Sequence, residues 1–270
     1  MKISVDEIID FVTCSALHRF RYVDKIDVST THKLKRVNRE SLIEQYDKAL
    51  HKAASFLFHS MQEGKYPGKH HLSKRWGYLW VQPRSDQEDI RFKETSWRDT
   101  HDRKRVEGWK KLLLLWDHYR AADFTPIMVD YRYNVPIGNH IIEGTIDLVR
   151  IAKNENGREY IELVEFVYDD KSSPFLHVKR DWRVTSAAYA FRKLMNVTEE
   201  KIVYHGLISG KLVQTSRQED DFYHLEKLID TIESLRKMNV SIPVFNERCL
   251  TCPYQKHCEK GWYTHVEASK

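Results

Sequence analysis

The sequence predicts an α/β or α+β fold, a sheet flanked by helices, on three observations. Runs rich in β-formers sit together in mid-chain between short turn signals, and apolar residues recur at three-and-four spacing on both sides of them. No repeat or low-complexity segment interrupts the pattern. With 270 residues, 41% of them hydrophobic and 12% aromatic, the chain can bury one large domain or one domain with a helical appendage.

"ISVDEIIDFVTC" reads as a short helix with Ser4 as N-cap, Glu7 in the capping-box position and Ile8, Ile9, Phe11 and Val12 as its apolar face. Cys14 stands at its end. A longer helix spans about 41–62, where Leu42, Ile43, Tyr46, Leu50, Ala53, Ala54, Leu57 and Phe58 form a stripe that Gly64 and Pro67 terminate. Residues 66–100 are polar, tryptophan-rich and weakly periodic, and read as irregular or an insertion. A helix at about 102–122 follows around "WKKLLLLWDHY". After Pro126 come "IMVDYRYNVPI", "HIIEGTIDLVRIA" and "EYIELVEFVYDD", with turns at Gly138-Asn139 and Asn154 to Gly157, which predicts consecutive antiparallel strands. A helix near 182–195, a strand around 202–209 and a helix at about 223–238 complete the order. The expected organisation is a single domain over 1–270: a mostly helical part to 125, a core over 126–240 and a cysteine-bearing tail over 241–270.

No apolar run of about 18 residues and no signal-peptide pattern is present, so the expectation is a soluble cytoplasmic protein without membrane association. The net charge of +5 suits a polyanionic partner and is also common among proteins that bind none. Four cysteines in an intracellular chain point to metal ligands or buried thiols rather than two disulfides. Cys249-x2-Cys252-x5-Cys258 favours ligands, because three thiolates that close need a cation to gather them.

Asp147 stands mid-strand in "EGTIDLV", and Glu162 and Glu165 stand in "IELVEFVYDDK". A buried carboxylate is costly unless paired, hydrogen-bonded or metal-bound. Alternation puts Glu165 and Val167 on one face and Glu162, Val164 and Phe166 on the other. Asp147 and Glu165 on neighbouring strands therefore either converge on one divalent ion or line a wet face of the sheet. His51, at the edge of the long helix's stripe, is either a packed histidine or a third ligand.

In this order, a helix ending in Cys14, "ALH" (Ala49 to His51), "GTID" before "LVEF" and the terminal cysteine triplet resemble the iron-sulfur branch of the RecB-type PD-(D/E)XK nucleases. That group includes the CRISPR-associated exonucleases and the AddB nuclease domain, and the likeness spans almost the whole chain. The resemblance implies the PD-(D/E)XK (restriction-endonuclease-like) fold, with residues 126–240 as nuclease core. It implies a 4Fe-4S cluster on Cys14, Cys249, Cys252 and Cys258 that clips the first helix to the tail. It further implies Mg or Mn ions on His51, Asp147, Glu165 and the Phe166 carbonyl, and a catalytic Tyr189 from a Gln-x3-Tyr pair. Two positions depart: Val167 stands where the acid-x-lysine motif has lysine, and Thr185 where glutamine is usual. Lys171, just past the strand, is either a surrogate cation or a surface turn lysine, and the register Asp169-Asp170-Lys171 is the alternative to Glu165.

Basic runs lie at 32–36, 98–105 and 177–183. Lys179, Arg180 and Arg183 are candidate phosphate contacts, and Trp182, with Trp76, Trp80 and Trp97, could stack bases; solvated basic faces and core tryptophans are the plain alternatives. The expected function is a metal-dependent deoxyribonuclease, an exonuclease on DNA ends or single strands, in a bacterial, archaeal or phage-infected cell, serving recombination and repair, CRISPR adaptation or phage replication. Protein partners are unspecified. The alternatives are a non-cleaving relative that binds DNA or a partner protein, and a zinc protein with four thiolates.

Overall fold

The computed structural model describes residues 1–27, 39–80, 95–167, 178, 180–246, 249 and 252–263, with backbone alone at 39–44, 95–99 and 260–263. The chain divides into two compact units, one of Met1–Arg36, Asn134–Gly144 and Glu219–Lys270, the other of Val37–Tyr133 and Thr145–Gln218.

In the second unit the core is a mixed sheet. β2 (Phe124–Ile137) pairs with β3 (His140–Lys153), and the ladder continues through β4 (Glu159–Val167), β5 (Lys201–Gly206) and β6 (Leu212–Thr215). β3 and β4 are antiparallel, with Leu148 opposite Val164, whereas β4 and β5 are parallel, with Glu165 opposite Tyr204. A parallel pair needs a crossover, and α6 (Trp182–Met195) supplies it. Three helices cover one face: α3 (Arg39–Gln62), α4 (Lys69–Leu79) and α5 (Thr95–Ala121). Leu50, Leu57 and Phe58 of α3 and Leu112, Leu115 and Tyr119 of α5 join Leu148, Val164 and Phe166 in one buried cluster. Phe58 stacks on Phe166, ring centroids 5.4 Å apart. Glu162 shares that face and is neutralised there by Arg150, whose guanidinium lies over the rings of Tyr119 and Phe124. By alternation, Leu163 and Glu165 belong to the opposite face.

Three expectations need correction here, and one open alternative is settled. The stretch 66–100 is not wholly irregular, because α4 forms within it and buries Leu72 and Trp76 one turn apart. Trp76 and Trp80 are core residues rather than base-stacking platforms: their rings stack on each other, and their indole N–H groups donate to the Arg105 and His101 carbonyls. β2 starts at Phe124, so Pro126 lies inside the strand, and β6 follows β5 where none was predicted.

In the first unit β1 (Lys2–Ser4) runs parallel to the first residues of β3, Lys2 opposite Ile141. α1 (Val5–Thr13) begins as expected, the Glu7 N–H donating to Ser4 Oγ at 3.1 Å. The Glu7 carboxylate does not complete a capping box; it is 2.9 Å from His18 Nε2 and pairs with Arg236. α2 (Ser15–His18) passes into a π-helical turn, Arg19–Val23. α7 (Glu219–Met238) buries Phe222, Leu225, Ile229 and Ile232, and α8 (Gln255–Tyr263) follows the cysteine segment. Among the described residues no helix is long and apolar enough to cross a membrane.

Candidate active site and thiol cluster

One step along the ladder from Leu148 and Val164, Asp147 and Glu165 become neighbours on the face away from the aromatic cluster. Each carboxylate holds the other strand's backbone. Asp147 Oδ2 accepts the Phe166 N–H at 2.8 Å, and Glu165 accepts the N–H of Asp147. Glu165 is 6% exposed and its Oε1 has no hydrogen-bond partner, so the wet-face alternative fails for this acid. An orphaned oxygen of this kind costs free energy until a proton or a cation reaches it. Burial, then the charges of Asp147 and Asp181, push the Glu165 carboxyl well above the usual range. Burial also raises Asp147, against the opposing pull of His51.

α3 carries His51 to this pair, with Nδ1 3.9 Å from Asp147 Oδ2 and Nε2 3.3 Å from Asp47 Oδ1. Burial opposes protonation of the ring, yet Asp47 and Asp147 outweigh it and raise its pKa. A carboxylate on the far nitrogen fixes the ring's orientation, as it does for ligating histidines generally. Asp47 went unread, though its place four residues before His51 on one helix made it legible.

Two further acids were not. Asp130 sits on β2 with φ of 45°, a left-handed backbone that aspartate tolerates better than most residues, and its charge adds to that on Asp147. Asp181 is the N-cap of α6: Oδ1 accepts the Arg183 N–H at 2.9 Å and Oδ2 accepts the Tyr204 hydroxyl at 2.8 Å. Arg183, predicted as a DNA contact, lies where its charge acts on His51, Asp147 and Glu165 together.

Tyr189 is half-buried on α6, with the Lys193 ammonium 5.5 Å from its ring centroid. Thr185, at the glutamine position, donates to the Asp181 carbonyl and accepts from buried Arg217. Arg180 is exposed and Trp182 half-buried. Lys171, Lys179, Asp169, Asp170, residues 32–36 and the side chains of Trp97 and Arg98 lie outside the described residues.

The four cysteines all fall in the first unit, and all are free thiols. Cys14 is the C-cap of α1, its N–H donating to the Asp10 carbonyl, and its Sγ accepts the Val244 N–H at 3.4 Å. Cys249 Sγ lies 3.6 Å from the Val244 carbonyl and accepts the Asn246 N–H. Burial raises the Cys252 and Cys258 thiols, and charge on the other cysteines raises them further. The four are thus electrostatic neighbours across most of the chain's length.

Among the described residues no three His, Cys, Asp or Glu side chains are closed into a group that could hold a metal ion. The donor chemistry nonetheless fits: two carboxylates and an imidazole suit a hard divalent ion, and four neighbouring free thiols suit an iron-sulfur cluster.

A family model described as the PD-(D/E)XK nuclease superfamily matches residues 2–259. Among solved structures, the crystal structure of SSO0001 is similar over 94% of this chain and 84% of that one, at 13% identity and a TM-score of 0.35. No curated protein matches.

Proposed function

The chain belongs to the PD-(D/E)XK nuclease superfamily, and on that premise we propose that it is a metal-dependent deoxyribonuclease, an exonuclease on DNA ends or single strands. The observation that carries the reading is the Asp147–Glu165 pair, with Glu165 buried and its Oε1 left unpartnered. Asp147, Glu165, His51 and the Phe166 carbonyl would hold Mg or Mn. Bound there, the ion supplies a water of lowered pKa and positive charge against the phosphodiester.

The chain's own residues do the rest. Burial and neighbouring acids leave Glu165 poorly suited to carry an unpaired charge, so a cation is favoured over bare ionisation. Asp47 keeps the His51 ring turned toward Asp147. Tyr189 is a proposed catalytic residue, and Lys179, Arg180 and Trp182 are proposed to grip phosphates and bases. Cys14, Cys249, Cys252 and Cys258 would hold a 4Fe-4S cluster with a structural role. Cytoplasmic DNA is the proposed substrate.

Val167 favours a second reading, a relative that binds DNA or a partner protein without cutting it, since an apolar side chain occupies the lysine slot. Incubation with Mn and linear single-stranded, linear duplex and closed circular DNA separates the two. The expected result is that wild type degrades linear DNA and spares closed circles, while Asp147→Asn falls by at least about 100-fold. Equal cleavage by both proteins removes Asp147 from the mechanism, and cleavage by neither favours the binder.

A further inference from the structure

The superfamily motif needs a cation beside its second acid, and β4 does not supply one. Glu165 and Val167 share a face of the strand, and the Val167 carbonyl accepts the Leu207 N–H at 2.7 Å, so this backbone is fixed with an isopropyl group where the ammonium belongs. Four other described cations of this unit near β4 and α6 are engaged elsewhere. Arg150 is tied to Glu162 on the opposite face, and Arg192 to Glu199. Arg217 is spent on Thr185 and the Val178 carbonyl, and Lys201 lies over the Tyr160 ring.

Arg183 differs from all of these. Its backbone N–H is clamped by Asp181 Oδ1, while Asp181 Oδ2 takes the hydroxyl of Tyr204, the residue opposite Glu165 in the β4–β5 ladder. Two hydrogen bonds thus anchor the first turn of α6 to the strand beside the acid pair. The exposed guanidinium makes no ion pair with any described residue. It is nevertheless close enough to act on His51, Asp147 and Glu165 at once.

We propose that Arg183, presented from the first turn of α6, takes the place of the lysine absent at Val167 as the cation of the Asp147–Glu165 site. A guanidinium remains charged throughout the working pH range and presents a planar fork to non-bridging phosphate oxygens. It neutralises charge on the reacting phosphate and orients it, but it does not shuttle protons. This deepens the nuclease reading and rests on it.

The test uses full-length Arg183→Ala, Arg183→Lys and the double variant Val167→Lys with Arg183→Ala, each checked for fold by circular dichroism and melting temperature. Mn affinity is measured by calorimetry, and kcat and KM on linear DNA are measured separately. Removing a positive charge beside the site should tighten Mn binding about three- to tenfold, whether or not the protein cuts. Turnover of Arg183→Ala should fall about 100-fold with KM little changed. Free guanidinium, Arg183→Lys and the lysine transplanted onto β4 in the double variant should each recover part of it.

Unchanged Mn affinity in Arg183→Ala overturns the proposal. So does a loss confined to KM, which would mark a DNA grip, or a double variant no better than the single one. A wild type that shows the Arg183 effect on Mn affinity and cuts no DNA overturns the nuclease reading while leaving the placement of this cation standing.

Discussion

Asparagine at position 147 keeps a carbonyl oxygen for the Phe166 N–H and removes the charge that crowds Glu165 and Asp130. In metal-free buffer Asp147→Asn should therefore be as stable as wild type, within about 1 kcal/mol, or more stable. Urea melts beside the cleavage assay show whether lost activity is lost chemistry or lost fold. A second residue sets an acid limit. His101 stacks on Trp80, centroids 4.6 Å apart, and burial lowers its pKa below 6.5. The unfolded chain takes up that proton more readily, so the stability is whole above pH 6.5 and drains away as pH falls through the lowered folded value. Burial lowers His18 and His118 in the same sense. His101→Phe, which keeps a ring against Trp80, should lose less stability between pH 7.5 and 5 than wild type; an identical loss would clear His101. Strand alternation made Asp147 and Glu165 readable in advance, because period two carries a face assignment within it. Arg183 was read only as one member of a basic run, since its relation to the acids passes through Asp181 and Tyr204 on other elements.

Helix packing in the second unit turns on Gly108. A methyl group there would sit 2.3 Å from Trp76 Cζ2 and 3.0 Å from Tyr46 Cε2, in the buried seam of α3, α4 and α5. In an open helix Gly→Ala gains about 1 kcal/mol from propensity. Here the rings must shift, and overpacking of this kind costs about 1–3 kcal/mol. Gly108→Ala should therefore lower stability on balance, read as a lower urea midpoint at unchanged slope; a raised midpoint would mean that the indoles yield freely. The same seam explains what the sequence concealed. α6 was legible to its bounds, Trp182 to Met195, because its apolar positions keep helical spacing and Asn196 closes it in a left-handed cap. α4 was missed because Leu72 and Trp76 are its only buried residues among many charged and polar ones, a stripe too thin to stand out before its partners are known. β6 is a four-residue edge strand without a buried residue, and its ladder to β5 is a backbone property that leaves little trace in side-chain pattern.

At the scale of the whole chain, Cys14 and Cys249 fall in one compact unit although more than roughly two hundred residues separate them. A cross-link of that span removes more disorder from the unfolded chain than a short one does, about 5 kcal/mol on the chain-entropy estimate. A cluster on the four thiols would act as such a cross-link, and its binding free energy would count toward folding. The contacts between the two segments include the Ser15 hydroxyl bonded to the Ile242 backbone, the Val244 N–H on Cys14 Sγ, the Arg19 guanidinium on the Asn239 carbonyl, and the Phe20 ring near Tyr254 and His257. Anaerobically purified protein should be brown and carry iron and inorganic sulfide, and Cys258→Ser should lose both. Limited proteolysis of that variant should open the segment 239–246 first, where Ile242 and Phe245 are exposed and the Val244 N–H rests on Cys14 Sγ. The melting temperature should fall while the α3–α5 aromatic cluster, which contains no cysteine, keeps its near-ultraviolet dichroism. A colourless protein with one zinc replaces the cluster with the four-thiolate alternative. Undiminished stability in Cys258→Ser, whatever the metal, would show that the first helix and the tail are held by their packing alone.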